Sequence, residues 1–220
     1  MRSIALFPCS YTNGATIIGE LMNSLHLPVY NDAMLFSDVS KQFGISAERL
    51  NKILFGKLPA LHRYLLKKEK YINCLKCSLS AQLMWHPNGR LHYGLHTSLL
   101  HSQDDLVLKV LVFDEEENRV KRAMQQEGFT ENAARDHVRK HDEKVSNWTK
   151  FFFQKQAYDR SLYNVVIDLD HRKLLDTATE IIAHFRATAN SKTETHIQTH
   201  TTLPVLHNKP NMDQQMGWAD

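Results

Sequence analysis

Apolar and polar residues alternate along this chain in two patterns. Short, nearly continuous apolar runs predict buried β-strands, and longer stretches with an apolar residue every three or four positions predict amphipathic helices. The predicted strands are Ser3–Phe7, Leu27–Tyr30, Leu91–Tyr93, Leu106–Phe113 and Tyr163–Leu169. The predicted helices include a segment carrying Ile17, Leu21 and Leu25, followed by Ser46–Leu54, Leu61–Leu83, Glu115–Gln126, Thr130–Phe153 and Arg172–Thr188. Strands that alternate with helices in this way predict parallel βαβ units and a doubly wound α/β sheet.

The composition of the chain changes near Asn190. Its length of 220 residues favours one large domain with accessory segments. Beyond Asn190, Thr, His, Asn, Gln and Lys take the place of large apolar residues. We therefore expect one α/β domain over residues 1–190 and a polar, His- and Thr-rich mobile tail over residues 191–220.

Charge, hydropathy and cysteine content exclude several classes of partner and location. The 27 Lys and Arg against 24 Asp and Glu give a net charge of +3, too small a field to indicate a nucleic acid partner. The apolar runs are far shorter than the roughly 20 residues of a membrane helix. The odd number of cysteines, 3, argues against a disulfide framework and predicts a cytoplasmic location. Cys74 and Cys77 form a lone C-x-x-C motif, which we interpret as two residues of a helix rather than a metal site.

A polar loop joins the first predicted strand to the first predicted helix, an arrangement in which backbone amides bind phosphate. Compared with the P-loop pattern G-x-x-x-x-G-K-[ST], the loop keeps Gly14 and the hydroxyl of Thr16. Cys9 replaces the first glycine and Ala15 replaces the lysine, so the Walker A motif is degenerate. The candidate phosphate-binding residues are Ser10, Thr12, Asn13, Gly14 and Thr16. An ordinary strand-to-helix turn is the alternative.

A carboxylate and a group of arginines strengthen the case for a phosphate site. Asp114 follows the strongest strand, at the sheet edge where open α/β sheets bind ligands, and it is a candidate for ordering Mg²⁺ through water, with the Thr16 hydroxyl reaching the ion. Arginines at spacings of three and four on the two following helices are candidates for neutralising phosphate charge: Arg119, Arg122, Arg135 and Arg139. The alternative is a solvated, salt-bridged face, because acidic residues are interspersed with them.

Motifs spread over about 190 residues resemble the cytidylate kinase-like family of P-loop nucleoside-monophosphate kinases. Those in the second half are Arg119-Val-Lys-Arg122, Glu127-Gly-Phe-Thr-Glu-Asn-Ala-Ala134, Lys140-His-Asp142, the aromatic run Trp148 to Phe153, and Leu162-Tyr-Asn-Val-Val-Ile-Asp168, which is similar to the family's "LYDLVI" strand. Near the start, Leu27-Pro-Val-Tyr-Asn-Asp32 resembles the family's "IPFYDKE" segment. The resemblance implies a P-loop NTPase-like, three-layer α/β/α fold with a parallel sheet and a helical lid at about 129–160. It also implies Mg²⁺ and ATP as cofactors, and Tyr30 and Asp32 as acceptor-binding residues.

The departures from the family pattern fall where chemistry is expected. Besides Ala15 in the phosphate loop, Leu95 stands where the family's middle "GR" motif has arginine, and Val145 aligns with another arginine of the lid. Loss of cations that stabilise phosphoryl transfer can cost roughly 10³-fold or more each in rate. We therefore expect a nucleotide-binding, kinase-like protein in which transfer from ATP to CMP or dCMP is weak or lost, a pseudoenzyme.

A weaker hypothesis is a metal or redox protein that uses Cys74 and Cys77 with nearby histidines such as His86, His92 and His96. Two other functions also remain open at this stage. One is an active nucleotide kinase in which basic residues such as Arg135, Arg139 or Lys144 have taken over from the missing cations. The other is a non-catalytic regulatory module that binds a nucleotide or another phosphorylated small molecule. A homodimer or a protein partner is compatible with either, and no membrane partner is expected.

Overall fold

The chain folds around one parallel β-sheet. The computed structural model describes residues 3–55, 62–86, 88–100, 106–169 and 174–199. Within this part of the chain the sheet has five strands in the order β2-β3-β1-β4-β5, and every paired neighbour is parallel. The strands are β1 (Ser3–Pro8), β2 (Val29–Asn31), β3 (Leu91–Tyr93), β4 (Val107–Phe113) and β5 (Val165–Asp168). The doubly wound parallel sheet predicted from the sequence is confirmed.

The helices cover both faces of this sheet. They are α1 (Gly14–Leu25), α2 (Asp32–Phe43), α3 (Ala47–Phe55), α4 (His62–Trp85), α5 (Glu116–Glu127), α6 (Glu131–Phe153) and α7 (Leu174–Thr199), and short 3-10 helices span Leu95–Leu99 and Arg160–Leu162. Successive residues of a strand point to opposite faces. Ile4 and Leu6 accordingly belong to the core beneath α1 and α7, whereas Ala5 and Phe7 belong to the core beneath α2, α3, α4 and α6. The fold is therefore the expected three-layer α/β/α arrangement.

The helix boundaries follow local capping chemistry. The Asn31 side chain accepts from the backbone N–H of Met34 at 2.9 Å and caps α2, and Thr130 caps α6 in the same way. Gly128 ends α5 with a φ of 69°, a conformation that favours glycine. Helix α7 continues to Thr199, past residue 190 where the polar tail was predicted to begin. The rest of that tail, residues 200–220, lies outside the described residues.

Two predictions about unusual segments can be compared with the fold. Cys74 is buried and Cys77 is exposed, and both lie on α4 as expected. Within the described parts of the chain, no three His, Cys, Asp or Glu side chains are grouped so as to hold a metal ion. No described helix is both long and apolar enough to cross a membrane.

The order of the strands determines where a ligand site can form. β1 lies in the centre, between β3 and β4, so the segments that follow these three strands meet at one edge of the sheet. The three segments are residues 9–13, the 3-10 helix at Leu95–Leu99, and Asp114 with the start of α5. Ligands of open α/β sheets bind at this carboxyl edge, where the chain connections diverge.

Candidate functional site

The loop between β1 and α1 adopts a tight, irregular conformation. Tyr11 and Asn13 both have positive φ, 58° and 54°, and the Thr12 hydroxyl donates to the carbonyl oxygen of Cys9 at 2.7 Å. A Cβ on Gly14 would approach the Pro8 side chain to 2.8 Å, so only glycine fits at the start of α1 without a shift. Alternating backbone conformations of this kind are found in anion-binding nests. The loop therefore has a backbone suited to phosphate but, with Ala15, lacks the lysine of the motif.

The same loop is held from the other side by α5 and α6. The Tyr11 ring packs against a small apolar cluster between these helices, and its hydroxyl is 2.8 Å from Nδ1 of His137. Arg122 donates through Nε to the carbonyl oxygen of Tyr11 at 2.5 Å, and Gln126 donates to the Asn13 side-chain oxygen at 2.5 Å. The loop is thus in direct contact with both α5 and α6.

Arg119 is buried in a bidentate ion pair. Only 3% of this residue is exposed, and its two terminal nitrogens donate to Asp142 at 2.9 and 2.7 Å. The first nitrogen also donates to the Ser10 hydroxyl at 3.2 Å, and Tyr158 donates to Asp142 at 2.6 Å. Burial opposes ionisation of Asp142, but hydrogen bonds from His141, Arg119 and Tyr158 outweigh it and hold its pKa below the usual range. Arg119 therefore links the loop to α6 through a carboxylate.

The carboxylate oxygens of Asp114 accept hydrogen bonds from donors within the protein. It is buried, and it accepts from the Glu115 backbone N–H at 2.8 Å, from the Asn118 amide at 2.9 Å, and from Arg122 through an ion pair. Burial raises the pKa of this carboxyl, but the Asn118 and Arg122 contacts outweigh it, so the pKa is lowered. Thr16, the second predicted Mg²⁺ ligand, is exposed in the first turn of α1. A carboxylate bound by a guanidinium does not fit a direct Mg²⁺ ligand, so a Mg²⁺ site at Thr16 in which Asp114 acts through water stays a prediction.

The other two candidate arginines lie on the exposed surface of α6. Arg135 pairs with Glu117 at 2.7 Å and with Glu131 at 3.0 Å, and Arg139 pairs with Asp136. For these two arginines, the structure has the solvated, salt-bridged arrangement that was the alternative interpretation of the sequence. Arg119 and Arg122 are different, because they contact the loop itself.

The two predicted acceptor-binding residues occupy different environments. Tyr30 is 1% exposed, and its hydroxyl donates to Asp38 at 2.8 Å, with the Arg90 guanidinium over its ring at 5.2 Å. Asp32 faces a cleft at the carboxyl edge of the sheet. The structure therefore brings Asp32, but not Tyr30, to the candidate site.

The cleft has a volume of about 170 Å³ and combines apolar and charged groups. Its described lining residues are Phe7, Pro8, Asp32, Tyr93, Gly94, Leu95, His141 and Lys144. Sequence reasoning had not assigned a site role to Tyr93 or His141. The available signal was their placement, since Tyr93 ends a strand at the ligand-binding edge and His141 lies three residues before Lys144, on the same helix face.

A chain of buried side chains extends from the cleft into the core. His96 donates to Asp32 through its backbone N–H at 2.9 Å and faces the same carboxylate through Nδ1 at 2.7 Å. Its Nε2 is 3.3 Å from Nδ1 of His92, whose own Nε2 is buried without a hydrogen-bond partner among the described residues. Burial, with smaller effects of His96 and Arg90, lowers the pKa of His92 to about 3. His92 is therefore neutral at physiological pH.

Comparison with solved structures identifies proteins of similar architecture. A structure of an uncharacterised protein from Eubacterium ventriosum ATCC 27560 matches with a TM-score of 0.59 at 15% identity, covering 84% of this chain and 98% of that one. A gluconokinase from Sinorhizobium meliloti 1021 matches with a TM-score of 0.49 at 13% identity, covering 90% of this chain and 98% of that one. At such identities the likeness is one of fold.

Comparison with protein families is more specific. No curated protein matches the chain. The model of the Cytidylate kinase-like family, in contrast, matches residues 4–171, which include every strand of the sheet and helices α1 to α6. The match takes in the β1–α1 loop, the cleft and the Arg119–Asp142 pair. On this evidence the chain belongs to the cytidylate kinase-like family.

Proposed function

We propose that this chain is a kinase-like protein that binds a nucleotide or another phosphorylated small molecule but has little or no phosphoryl transfer activity. In the reaction we expect to be weak or lost, ATP with Mg²⁺ is the donor and CMP or dCMP is the acceptor. The observation that carries the proposal is the use of Arg119 and Arg122 in internal ion pairs beside a loop whose lysine position is Ala15.

The charges needed for phosphoryl transfer support this proposal. The transferring group carries negative charge on its oxygens, and catalysis depends on cations placed around it. Ala15 offers only a methyl group, Leu95 contributes an apolar wall to the cleft, and Val145 is 2% exposed within the core. None of these three side chains is able to replace the arginine or lysine that the family pattern has at its position.

Arg119 and Arg122 can turn toward a ligand only if their ion pairs break, which costs free energy. Moving Arg119 away from Asp142 leaves a half-buried carboxylate without its main partner, and breaking a buried pair costs about 3–5 kcal/mol. Moving Arg122 likewise leaves the Asp114 carboxylate, which is 1% exposed, without its guanidinium partner. A bound phosphate would therefore compete with two established carboxylates for the same guanidiniums.

One observation favours a second candidate function, an active kinase with relocated basic residues. Lys144 lines the cleft together with His141, so a basic side chain of the lid region does reach the space beside Asp32. In that case Lys144 would take over the charge neutralisation that Ala15 and Leu95 cannot supply.

Turnover measurements distinguish the two functions. Purified protein is incubated with ATP, Mg²⁺ and either CMP or dCMP, and ADP and the nucleoside diphosphate are quantified. We expect turnover at least 10³-fold below the roughly 1–100 s⁻¹ typical of kinases. Turnover above about 1 s⁻¹ that is abolished in Lys144→Gln and retained in Lys140→Gln establishes the active kinase instead. Calorimetry with each nucleotide measures binding separately, and absence of binding by nucleotides and phosphate esters alike contradicts the binding half of the proposal.

A further inference from the structure

The cleft beside Asp32 has the properties of a binding site for a ligand much smaller than a nucleotide. Its apolar lining residues are Phe7 and Pro8 of β1 and Leu95 of the 3-10 helix that follows β3. Polar groups converge from three other elements: Asp32 from α2, Tyr93 from β3, and the pair His141 and Lys144 from α6. A mainly apolar pocket with a few convergent polar groups is the usual form of a small-molecule site.

Asp32 is held in a fixed position with hydrogen-bonding capacity remaining. Its Oδ2 accepts from the Leu95 backbone N–H at 2.9 Å, and its Oδ1 accepts from the His96 backbone and faces the His96 ring. A carboxylate has about four acceptor sites, so Oδ2 keeps one for a ligand. The side chain is 33% exposed, and it lines the cleft. Asp32 is therefore placed to accept a hydrogen bond from a ligand hydroxyl and to repel an anionic group.

Gly94 makes this arrangement sterically possible. Its φ is 122°, and a Cβ at this position would lie 2.4 Å from Oδ2 of Asp32. No side chain larger than hydrogen is compatible with the carboxylate in its observed position. The backbone at residues 94–96 thus packs closely around the Asp32 carboxylate. This backbone fixes the orientation of the Asp32 side chain.

Helix α6 contributes hydrogen-bond donors to the cleft, in contrast to the Asp32 acceptor. Lys144 and His141 are three residues apart on that helix and both line the cleft. An ammonium and an imidazole N–H donate hydrogen bonds to phosphate or carboxylate oxygens. The cleft wall therefore has donors for an anion on one element and an acceptor for a hydroxyl on another.

Volume limits the size of the ligand. An apolar cavity of about 150 Å³ holds benzene, and ordinary ligand pockets measure about 300–1,000 Å³. At about 170 Å³, the cleft accommodates a molecule near the lower of these sizes. A nucleoside monophosphate consists of a base, a ribose and a phosphate, and it is larger than such a molecule.

We propose that the cleft binds a small hydroxylated anion, either the phosphate ester of a short polyol or a short hydroxy acid, with its anionic group at Lys144 and His141 and a hydroxyl at Asp32. With a phosphate ester as the ligand, the inference rests on the proposed function and names the phosphorylated molecule that the site binds; with a hydroxy acid, it replaces the phosphorylated ligand of that proposal. Phosphate and carboxylate share the anionic chemistry on which it depends, and the experiment separates them.

The test is a set of calorimetric titrations without ATP or Mg²⁺, so that it is independent of any turnover. The probes are glycerol 3-phosphate, D-glycerate, n-propyl phosphate, glycerol and CMP. We expect glycerol 3-phosphate or D-glycerate to bind with a Kd of about 1 mM or below. Binding by the first alone identifies phosphate as the anionic group, and binding by the second alone identifies carboxylate. Loss of the hydroxyls in n-propyl phosphate, or of the anion in glycerol, is expected to weaken binding at least about tenfold.

A matched pair of variants assigns the binding to this cleft. Lys144→Gln removes an exposed lining lysine, and Lys140→Gln removes an exposed lysine one helical turn earlier that does not line the cleft. We expect at least about tenfold weaker binding in the first and less than about twofold change in the second. Equal effects of the two substitutions overturn the proposal. The proposal is also overturned if neither glycerol 3-phosphate nor D-glycerate binds, or if n-propyl phosphate or glycerol binds equally well. It is overturned as well if CMP binds instead and Lys144→Gln weakens that binding.

Discussion

Arg119 and Asp142 lie on different helices, and the guanidinium of the first donates to both carboxylate oxygens of the second. The pair joins α5 to α6; Arg119 also donates to the Ser10 hydroxyl, and the Tyr158 hydroxyl donates to Asp142. In the sequence this arginine is a candidate for binding phosphate. In the structure it has a stabilising role, which can be measured separately from any activity.

Arg119→Ala is expected to lower the free energy of unfolding by about 2–4 kcal/mol, somewhat less than for a completely buried pair, because Asp142 is 27% exposed. The reason is that the substitution leaves a partly buried carboxylate without its guanidinium. Urea denaturation measures the change. Arg139→Ala is the control, since Arg139 pairs with Asp136 on the surface and its loss is expected to cost less than about 1 kcal/mol. Equal losses in the two variants contradict a structural role for Arg119.

His92 gives the stability a specific pH dependence. Its pKa falls from 6.5 to about 3 on folding, so below about pH 6.5 the unfolded chain binds a proton that the folded protein does not. Stability is therefore lost as the pH falls from 6.5 toward 3, by about 2 kcal/mol at pH 5 from this group alone. In His92→Asn the difference in unfolding free energy between pH 7 and pH 5 is expected to shrink by that amount. An unchanged difference shows that His92 does not titrate in this way.

Lys109 is expected to destabilise the protein at neutral pH. It is 2% exposed in the interior strand β4, its ammonium donates to the Ser98 carbonyl at 3.3 Å, and burial lowers its pKa from 10.5 to about 8. Between pH 8 and 10.5 the unfolded chain holds the extra proton, so stability rises with pH across this window. Lys109→Met is therefore expected to stabilise the protein by about 2–3 kcal/mol at pH 7, with the gain disappearing toward pH 10.5. Thermal unfolding across this range tests it, and exposed Lys140→Met, expected to be neutral, is the control.

Gly94→Ala is expected to be far more damaging than the same change at Gly128. At Gly94 the added methyl meets the Asp32 carboxylate in a backbone region that only glycine adopts readily. At Gly128, with φ 69°, no atom lies within 4 Å of the added group, so only the backbone strain of about 1–2 kcal/mol applies. Denaturation of both variants gives the comparison. If Gly94→Ala loses no more stability than Gly128→Ala, then Asp32 is not held as described.

Much of the fold could be predicted because its causes are local. The strand β4 is a continuous apolar run, and Thr130 and Gly128 are cap residues whose preferences act within one turn. The alternation of such elements was sufficient to predict a parallel sheet. The continuation of α7 to Thr199 was not predicted, because the polar composition beyond Asn190 gives no amphipathic pattern.

The candidate site was only partly predictable because its interactions join distant parts of the chain. Asp114 was expected at the ligand-binding edge because it follows a predicted strand, and it does follow β4, whereas Asp32 was assigned to the acceptor only through the family resemblance. Nothing in the spacing of Arg119 and Asp142 indicates that they pair, or that Arg122 takes Asp114 as its partner. Tyr30 was assigned to the acceptor from a motif, whereas its contact with Asp38 depends on how α2 packs against the sheet.

The position of Tyr11 couples the movement of the β1–α1 loop to that of α5 and α6. Because its ring packs against the apolar cluster between α5 and α6, the β1–α1 loop cannot move away from these two helices without withdrawing an aromatic side chain from that cluster. Segments that share buried contacts open together and exchange their amide hydrogens as one cooperative unit. The loop, α5 and the first half of α6 should therefore have a common opening free energy, in place of the independent loop and lid movements on which a cycle of substrate entry and product release depends.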